Sequence, residues 1–252
     1  MNIAALYDIH GNLPALNAVL GEIEKSEVDL IVIGGDIVSG PMPQQVLERL
    51  FQLKHRILYL RGNGDREVVT AYDGHPLTEE LSEKAVELTN WVAAQISKKE
   101  RDFLANLPEQ QILQIPKVGE VLFCHATPRS DEEIFTPITS HNRLIPMFEG
   151  INQQIIVCGH THLQFERRVG SRKIINAGSV GMPFAHSSGA YWLHLHSEGY
   201  KFRRTEFDGE EAARLIKAAG SPQCEEFTKN NVLKVPAVND AIGFLEELTK
   251  KR

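Results

Sequence analysis

Hydrophobic positions follow two different periods along the first sixty residues. Short apolar runs at Asn2–Tyr7, Asp29–Ile33 and Arg56–Leu60 are typical of buried strands. Between these runs, apolar residues recur at helical spacing from Leu13 to Ile23 and from Val46 to Phe51. The alternation predicts βαβ units and a parallel sheet in an α/β fold.

The rest of the chain contains a helical stretch, a strand-rich stretch and a second helical stretch. An apolar stripe at helical spacing runs from Leu81 to Ile96, and residues Ser97–Glu100 are typical of a helix-capping box. Strand patterns return at Gln111–Ile115, Glu120–Cys124, Gln154–Cys158, Phe165–Val169, Lys173–Asn176 and Tyr191–His196. We expect a single domain over residues 1–252, with a helical insertion at about 65–108 and a helical C-terminal tail at about 208–252.

Composition and charge exclude several classes of protein. A chain of 252 residues with 42% hydrophobic content can bury a substantial core without disulfide bonds. Three unpatterned cysteines, no signal peptide and no long apolar run predict a cytoplasmic protein without a membrane partner. A net charge of −6 makes long nucleic acid an unfavourable partner. A homo-oligomer is compatible with the apolar stripe after Pro236.

Five polar motifs follow the predicted strands. They are Asp8–Asn12, Gly35–Val38, Gly62–Asp65, Cys124–Ala126 and Gly159–His162. Each motif alone has a structural explanation, since Asp8 or Asp36 can cap a helix, Asn63 can form a turn, and a single histidine can be a satisfied core residue. Ligand sites in open α/β sheets lie beyond the carboxyl ends of strands, so the motifs together favour one metal site.

In composition and order, the motifs resemble the calcineurin-like metallophosphoesterase superfamily. The Asp-x-His-Gly-Asn start and the segment Gly178–Gly181 are most similar to its small prokaryotic branch of phosphodiesterases and diadenosine-tetraphosphatase-like proteins. The resemblance implies a four-layer α/β/β/α sandwich, in which two mixed β-sheets are flanked by helices. It also implies that Asp8, His10, Asp36 and His162 hold one metal ion, and that Asp36, Asn63, His125 and His160 hold another.

The same resemblance implies a hydrolase that acts on phosphoric ester bonds. A hydroxide bridging two divalent ions would attack the phosphorus of a small phosphodiester or phosphomonoester, which we expect to be nucleotide-like. Nitrogen and oxygen ligands suit Mn, Fe, Zn, Co or Ni, and Mn is favoured. Catalytic roles fall to Asp36, Asn63, His125 and Asp65, with Asp65 orienting the Asn63 loop. Asn12 and Arg129 are the expected substrate contacts, and Arg61, Arg66 and Arg143 are weaker candidates.

One position departs from the family pattern. Many members carry a histidine after the Gly-Asn pair, where it can help to protonate the leaving group, whereas this chain has Gly64. A general acid contributes about 10²–10⁴-fold, so another donor is needed for poor leaving groups, and His141, His186 or a metal-bound water are the alternatives. The alternative function is a catalytically weak or inactive protein-binding scaffold on the same fold.

Overall fold

Ten strands form the framework of the computed structural model, which describes residues 1–250. Within these residues the strands are β1 (Ile3–Leu6), β2 (Leu30–Ile33), β3 (Arg56–Tyr59), β4 (Gln110–Ile115), β5 (Gly119–Cys124), β6 (Ile155–Cys158), β7 (Gln164–Val169), β8 (Arg172–Ala177), β9 (Ala190–His196) and β10 (Gly199–Thr205). They divide into two five-stranded sheets, with the orders β10-β9-β1-β2-β3 and β4-β5-β6-β8-β7.

Both sheets are mixed, and each has three parallel strands in a row. In the first sheet β1, β2 and β3 are parallel, and Ile3 pairs with Leu30, which pairs in turn with Arg56. In the second sheet β5, β6 and β8 are parallel, with Val121 opposite Ile155. Antiparallel strands β9 and β10 extend the first sheet beyond β1, and antiparallel strands β4 and β7 flank the parallel strands of the second sheet.

Helices cover the outer faces of the sheets. Among the described residues they are α1 (Leu13–Ile23), α2 (Pro43–Phe51), α3 (Asn63–Tyr72), α4 (Glu83–Gln95), α5 (Lys98–Ala105), α6 (His141–Met147), α7 (Gly209–Ala218), α8 (Cys224–Thr228) and α9 (Val238–Leu248), with a π-helical turn at Lys229–Leu233. None of the helices in this part of the chain combines the length and apolar character that a membrane span requires.

Three apolar layers give the molecule its four-layer α/β/β/α architecture. Tyr7, Phe123 and Val157 belong to the core between the two sheets. The second core packs α1, α2 and α4 on the first sheet, and the third packs α6 and α9 on the second sheet. Burying one large apolar side chain contributes about 1.5–3 kcal/mol, so these layers provide a rigid base for the strand ends. The predicted fold class is confirmed.

Two elements were absent from the sequence prediction. Strand β10 contains Lys201, Arg203 and Arg204, and it lies at the edge of the first sheet, where exposed charged residues hide the strand pattern. Helix α6 has only seven residues and contains Pro146, which is unfavourable within a helix.

Helix boundaries differ from the sequence prediction in one respect that bears on function. Helix α3 begins at Asn63, inside the third motif and before the predicted start at residue 65. The capping box of α5 is present as predicted, since the Ser97 amide donates to Glu100 and the Glu100 amide donates to Ser97. The division into one domain, an insertion and a tail stays a prediction.

Candidate metal centre

The five polar motifs meet at the carboxyl ends of five parallel strands. Asp8 and His10 follow β1, Asp36 follows β2, and Asn63 follows β3. From the second sheet, His125 follows β5 directly, and the pair His160 and His162 follows β6. The site therefore lies where the rims of the two sheets come together, as expected for a ligand site in an α/β fold.

Carboxylates and imidazoles form two overlapping clusters with the spacing of a metal site. One contains Asp8, His10 and His162, the other contains Asp8, Asp36 and His125, and the ligand atoms of each lie within 4.8 Å of one another. Asp36 Oδ2 is 3.6 Å from both His10 Nε2 and His125 Nε2. Asp8 Oδ1 is 3.5 Å from His162 Nε2 and 3.8 Å from His125 Nε2. Each carboxylate therefore lies between a histidine of the first cluster and His125 of the second cluster.

Main-chain carbonyls fix the orientation of all four imidazoles. A carbonyl can only accept, so each imidazole donates from one ring nitrogen and leaves the other nitrogen available as an acceptor. The contacts are His10 Nδ1 with Ser39 O at 2.9 Å, His125 Nδ1 with Gly34 O at 2.8 Å, His162 Nδ1 with Met182 O at 2.8 Å, and His160 Nε2 with Glu132 O at 3.2 Å. This leaves His10 Nε2 and His162 Nε2 facing each other at 3.0 Å. If both rings are neutral, the lone pairs of these two nitrogen atoms face each other and repel. A cation bound to both nitrogens would remove that repulsion.

Three of the predicted ligands have buried atoms without hydrogen-bond partners among the described residues. These atoms are Asp8 Oδ1, Asn63 Oδ1 and His125 Nε2. Buried polar atoms are rarely left unsatisfied, because each costs about 1–3 kcal/mol. All three are atom types that can bind a cation, and a set of carboxylate, amide and neutral imidazole donors suits a divalent ion. The residues present therefore fit a divalent metal centre.

Backbone strain concentrates at the same residues. Seven non-glycine residues of the described chain have positive φ, and five of them are predicted ligands: Asp8 (54°), His10 (47°), Asp36 (51°), His160 (66°) and His162 (59°). Such conformations cost about 1–3 kcal/mol each and cluster at functional sites. From the sequence, Gly11 is expected to make the turn that brings Asp8 and His10 together, but the ligands themselves adopt the left-handed conformation as well.

His160 and the segment of Asn63 each contact a residue of the two compact clusters. The His160 ring packs against the His125 ring with centroids 5.3 Å apart, and the His160 amide donates to Asp8 Oδ2 at 2.9 Å. The amide of Gly64, next to Asn63, donates to Asp36 Oδ1 at 2.8 Å. Neither Asn63 nor His160 is in the two compact clusters, so their part in metal binding stays a prediction.

Asp65 joins the loop after β2 to the start of α3. Its Oδ1 accepts from the amides of Ile37 at 2.9 Å and Val38 at 3.3 Å, and its Oδ2 accepts from the Gly62 amide at 3.1 Å. Burial, together with the nearby Asp36 carboxylate, raises the pKa of Asp65 to about 7. Through these three contacts Asp65 fixes the position of the motif that carries Asn63.

The surroundings of most side chains at the centre favour the protonation state in which a side chain can bind a metal ion. Burial lowers the pKa of His10, and burial together with His125 lowers the pKa of His160 to about 4, so both rings are neutral at pH 7. Burial also disfavours charged His125, but Asp36 and Asp8 outweigh it and raise its pKa to about 10. Although burial opposes ionisation of Asp36, the neighbouring histidines hold its pKa well below the usual range. A cation bound at this position would take the place of the proton on His125.

The expected substrate contacts have different surroundings. Asn12 is fully buried and caps α1, accepting from the Ala15 amide at 3.2 Å and donating to Gly181 O at 2.9 Å, so its contact with substrate stays a prediction. Arg129 is half exposed and pairs with Glu133. Together with His125, Arg61 and Arg66, it lines a pocket of about 240 Å³.

The sequence also suggested roles at the site for two further arginines and two histidines. These residues lie elsewhere or already form ion pairs with carboxylates. Arg143 pairs with Glu246 at 3.2 Å. Arg66 is bound to Asp131 at 2.9 Å and also to Glu132. His141 begins α6 and His186 precedes β9, and both are exposed.

The sequence indicated no role for Glu67, and it marked the segment from Asn176 to Gly181 as a turn near the site without a role for the Asn176 side chain. Glu67 Oε1 accepts from Asn63 Nδ2 at 3.3 Å, which turns Asn63 Oδ1 the other way, and burial raises the pKa of Glu67 to about 7. Asn176 Nδ2 donates to Gly159 O at 2.6 Å and to Thr161 Oγ1 at 2.9 Å, which holds the loop of His160 and His162. The spacing of four between Asn63 and Glu67 on one helix could have indicated the first contact.

Comparisons with known proteins identify a matching family and several similar proteins. The calcineurin-like phosphoesterase superfamily domain matches residues 1–198. An uncharacterised protein of Methanocaldococcus jannaschii is 28% identical over 237 residues, covering 85% of this chain and 91% of its own length. Phosphodiesterase YfcE of Escherichia coli K12 is 26% identical over 203 residues, covering 77% of this chain and 86% of its own length.

A solved structure supports the fold. A hypothetical protein from Pyrococcus horikoshii OT3 superposes with a TM-score of 0.78 at 21% identity, covering 90% of this chain and 96% of its own. At 21% identity, this structural similarity supports the architecture alone. It shares the arrangement of layers from which the strand-end site is built.

Proposed function

Because the chain belongs to the calcineurin-like phosphoesterase superfamily, we propose that it is a metal-dependent hydrolase of a small phosphodiester or phosphomonoester. The observation that carries the proposal is the set of buried, unpartnered atoms Asp8 Oδ1, Asn63 Oδ1 and His125 Nε2. They belong to the same rim as four imidazoles that each form a hydrogen bond to a main-chain carbonyl, which supports the proposal.

Two divalent ions are the proposed cofactors, with Mn favoured. Asp8, His10, Asp36 and His162 would hold one ion, and Asp36, Asn63, His125 and His160 the other. The equal distance of Asp36 Oδ2 from His10 and His125 supports Asp36 as the bridge, although Asp8 is also shared by both clusters. Such ions neutralise phosphate charge and lower the pKa of coordinated water, so that hydroxide is available near neutral pH.

The chain's own residues supply orientation and substrate access. Asp65 and Glu67 hold the Asn63 segment, and the carbonyl contacts stop the imidazoles from rotating. The 240 Å³ pocket beside His125 offers the Arg129 guanidinium, which can exchange its exposed contact with Glu133 for a phosphate oxygen. The resemblance to diadenosine-tetraphosphatase-like proteins supports a nucleotide-like substrate.

Hydrolysis of bis(p-nitrophenyl) phosphate with Mn²⁺, repeated after chelation, tests the proposal. Asp36→Ala and His125→Ala should each reduce turnover at least about a thousandfold, because they remove donors from the centre. Elemental analysis should show less bound metal in both variants. His75→Ala, which removes an exposed imidazole that has no proposed role at the centre, is the matched control and should behave like the wild type.

Full turnover in either ligand variant contradicts the assignment. A wild-type protein that retains metal but hydrolyses neither phosphomonoesters, phosphodiesters nor dinucleotides favours the protein-binding scaffold instead. Comparison of these three substrate classes also identifies the preferred ester.

A further inference from the structure

Ser39 places a buried hydroxyl beside the candidate metal centre. It follows Asp36 by three residues, and its main-chain carbonyl accepts from His10 Nδ1 at 2.9 Å. Its Oγ is buried and has no hydrogen-bond partner among the described residues, as is also true of the ligand atoms Asp8 Oδ1, Asn63 Oδ1 and His125 Nε2. A buried hydroxyl without a partner is uncommon and calls for an explanation.

The hydroxyl occupies the space where a side chain at position 64 would begin. A Cβ atom built on Gly64 would lie 2.3 Å from Ser39 Oγ and 3.1 Å from Asp36 Oδ1. The first distance is shorter than real Cβ atoms tolerate, so any larger residue at position 64 requires Ser39 to move. Ser39 and Gly64 are therefore matched to each other, and the result is a hydroxyl donor near the Asp36 carboxylate.

Asp36 Oδ1 already accepts from the Gly64 amide at 2.8 Å, while the proton of the Ser39 hydroxyl can rotate freely about its C–O bond. In a site that receives a phosphoester, the acceptors that arrive are the oxygens of the phosphoryl group. Hydrogen bonds to charged oxygens are about twice as strong as neutral ones. A phosphate oxygen is thus a better partner for this donor than any group that the fold supplies.

We propose that Ser39 Oγ donates a hydrogen bond to an oxygen of the phosphoryl group bound at the metal centre. The inference rests on the proposed phosphoesterase function and adds a residue that contacts substrate. During hydrolysis the oxygen of water forms a new bond to phosphorus, the bond to the leaving oxygen breaks, and its electron pair stays on that oxygen. The attacking water releases a proton to solvent, the leaving oxygen takes a proton from solvent, and Ser39 keeps its own proton throughout.

The test compares Ser39→Ala with the wild type and with Ser187→Ala, which removes an exposed hydroxyl as a control. Titration of Mn²⁺-loaded protein with inorganic phosphate, measured by calorimetry, should show about tenfold weaker binding for Ser39→Ala. Its kcat/KM for bis(p-nitrophenyl) phosphate should fall about 10–100-fold. Its metal content should equal that of the wild type, and Ser39→Thr, which keeps a hydroxyl, should recover most of the phosphate affinity.

A second variant tests the geometry independently. Gly64→Ala should displace the hydroxyl and weaken phosphate binding about as much as Ser39→Ala does. The same change in a Ser39→Gly background should cost much less, because the clash with the Ser39 side chain is gone and only the 3.1 Å contact with Asp36 Oδ1 remains.

Unchanged phosphate affinity in Ser39→Ala overturns the inference, and so does a loss of metal in that variant, since the hydroxyl would then serve the ions. Failure of the proposed function has a different signature, because metal-loaded wild-type protein would then hydrolyse none of the esters.

Discussion

The amide of Asn63 has a defined orientation because Glu67 accepts from its nitrogen. The amide oxygen is left buried and without a partner among the described residues. Groups that orient a ligand in this way affect metal affinity about 10–100-fold, even though they do not touch the ion. At the scale of single residues, Glu67 is therefore the side chain whose loss should affect metal binding without removing a ligand.

Glu67→Ala should weaken Mn²⁺ binding about tenfold, because the Asn63 amide is then free to turn its oxygen away. Glu67→Gln keeps an acceptor and should have a smaller effect. Equilibrium dialysis with elemental analysis measures the affinity, and Glu79→Ala, which removes an exposed carboxylate, is the control. Equal affinity in Glu67→Ala and the wild type would show that the contact does not orient the ligand.

The strand-end positions of Asp8, Asp36 and His125 could be predicted, because polar residues after buried runs are visible in sequence. The contact between Ser39 and Gly64 could not, since it depends on how the start of α3 packs against the loop after β2. Nor could the left-handed backbone of the ligands, because aspartate and histidine carry no local signal as strong as glycine.

Helix α9 packs on the second sheet through a buried apolar face, and one carboxylate joins it to neighbouring segments. Glu246 accepts from the hydroxyls of Thr136 and Thr139 and from Arg143 Nη1 at 3.2 Å. Although burial opposes ionisation, these contacts outweigh it and lower the pKa of Glu246 below 4.5. At the scale of elements, this group joins α9 to α6 and to the loop that precedes α6.

Glu246→Gln should lower the free energy of unfolding by about 1.5–3 kcal/mol at pH 7, the range for hydrogen bonds to a charged group. Because the folded-state pKa is lowered, the contribution is present above 4.5 and is lost as the pH falls through the folded value. Urea unfolding at pH 7 and at pH 3 checks both statements, and the difference between variant and wild type should narrow in acid.

The neighbouring Glu247→Gln is the control, because the exposed Glu247 carboxylate pairs with Lys250 at the surface. Exposed pairs contribute about 0–1 kcal/mol, so this change should be almost neutral. If Glu246→Gln lowers the free energy of unfolding by the same amount at both pH values, the contribution of Glu246 to stability does not have an electrostatic origin.

Elements with a clear apolar period were predictable, and elements with mixed character were not. Helix α1 shows five buried apolar positions at helical spacing, and its prediction from Leu13 to Ile23 matches the structure. Strand β10 is half exposed at a sheet edge, and its place is set by pairing with β9 along its whole length, which no local pattern reveals.

The candidate centre connects the two halves of the whole molecule. Asp8, Asp36 and Asn63 come from the first sheet, and His125, His160 and His162 come from the second. Two buried carboxylates in one site repel each other unless cations neutralise them. Metal binding should therefore stabilise the packing of one sheet against the other as well as the site itself.

Chelation should lower the melting temperature of the protein. At a free metal concentration of about 100 times Kd, binding contributes about 2.7 kcal/mol. For a chain of this size that corresponds to a fall of about 5–10 °C after metal removal, measured by calorimetry in matched buffers. His125→Ala should show a smaller difference between loaded and chelated protein. Equal melting temperatures for the loaded and chelated wild type would contradict a role in joining the sheets.

The groups that hold the four imidazoles are carbonyls of Gly34, Ser39, Glu132 and Met182, and every amino acid has such a carbonyl. A codon change at Ser39, Glu132 or Met182 alters what surrounds the centre without deleting the oxygen that orients the ring. Substitutions at these positions can therefore change the substrate preference, while the path of the main chain continues to set the orientation of the imidazoles.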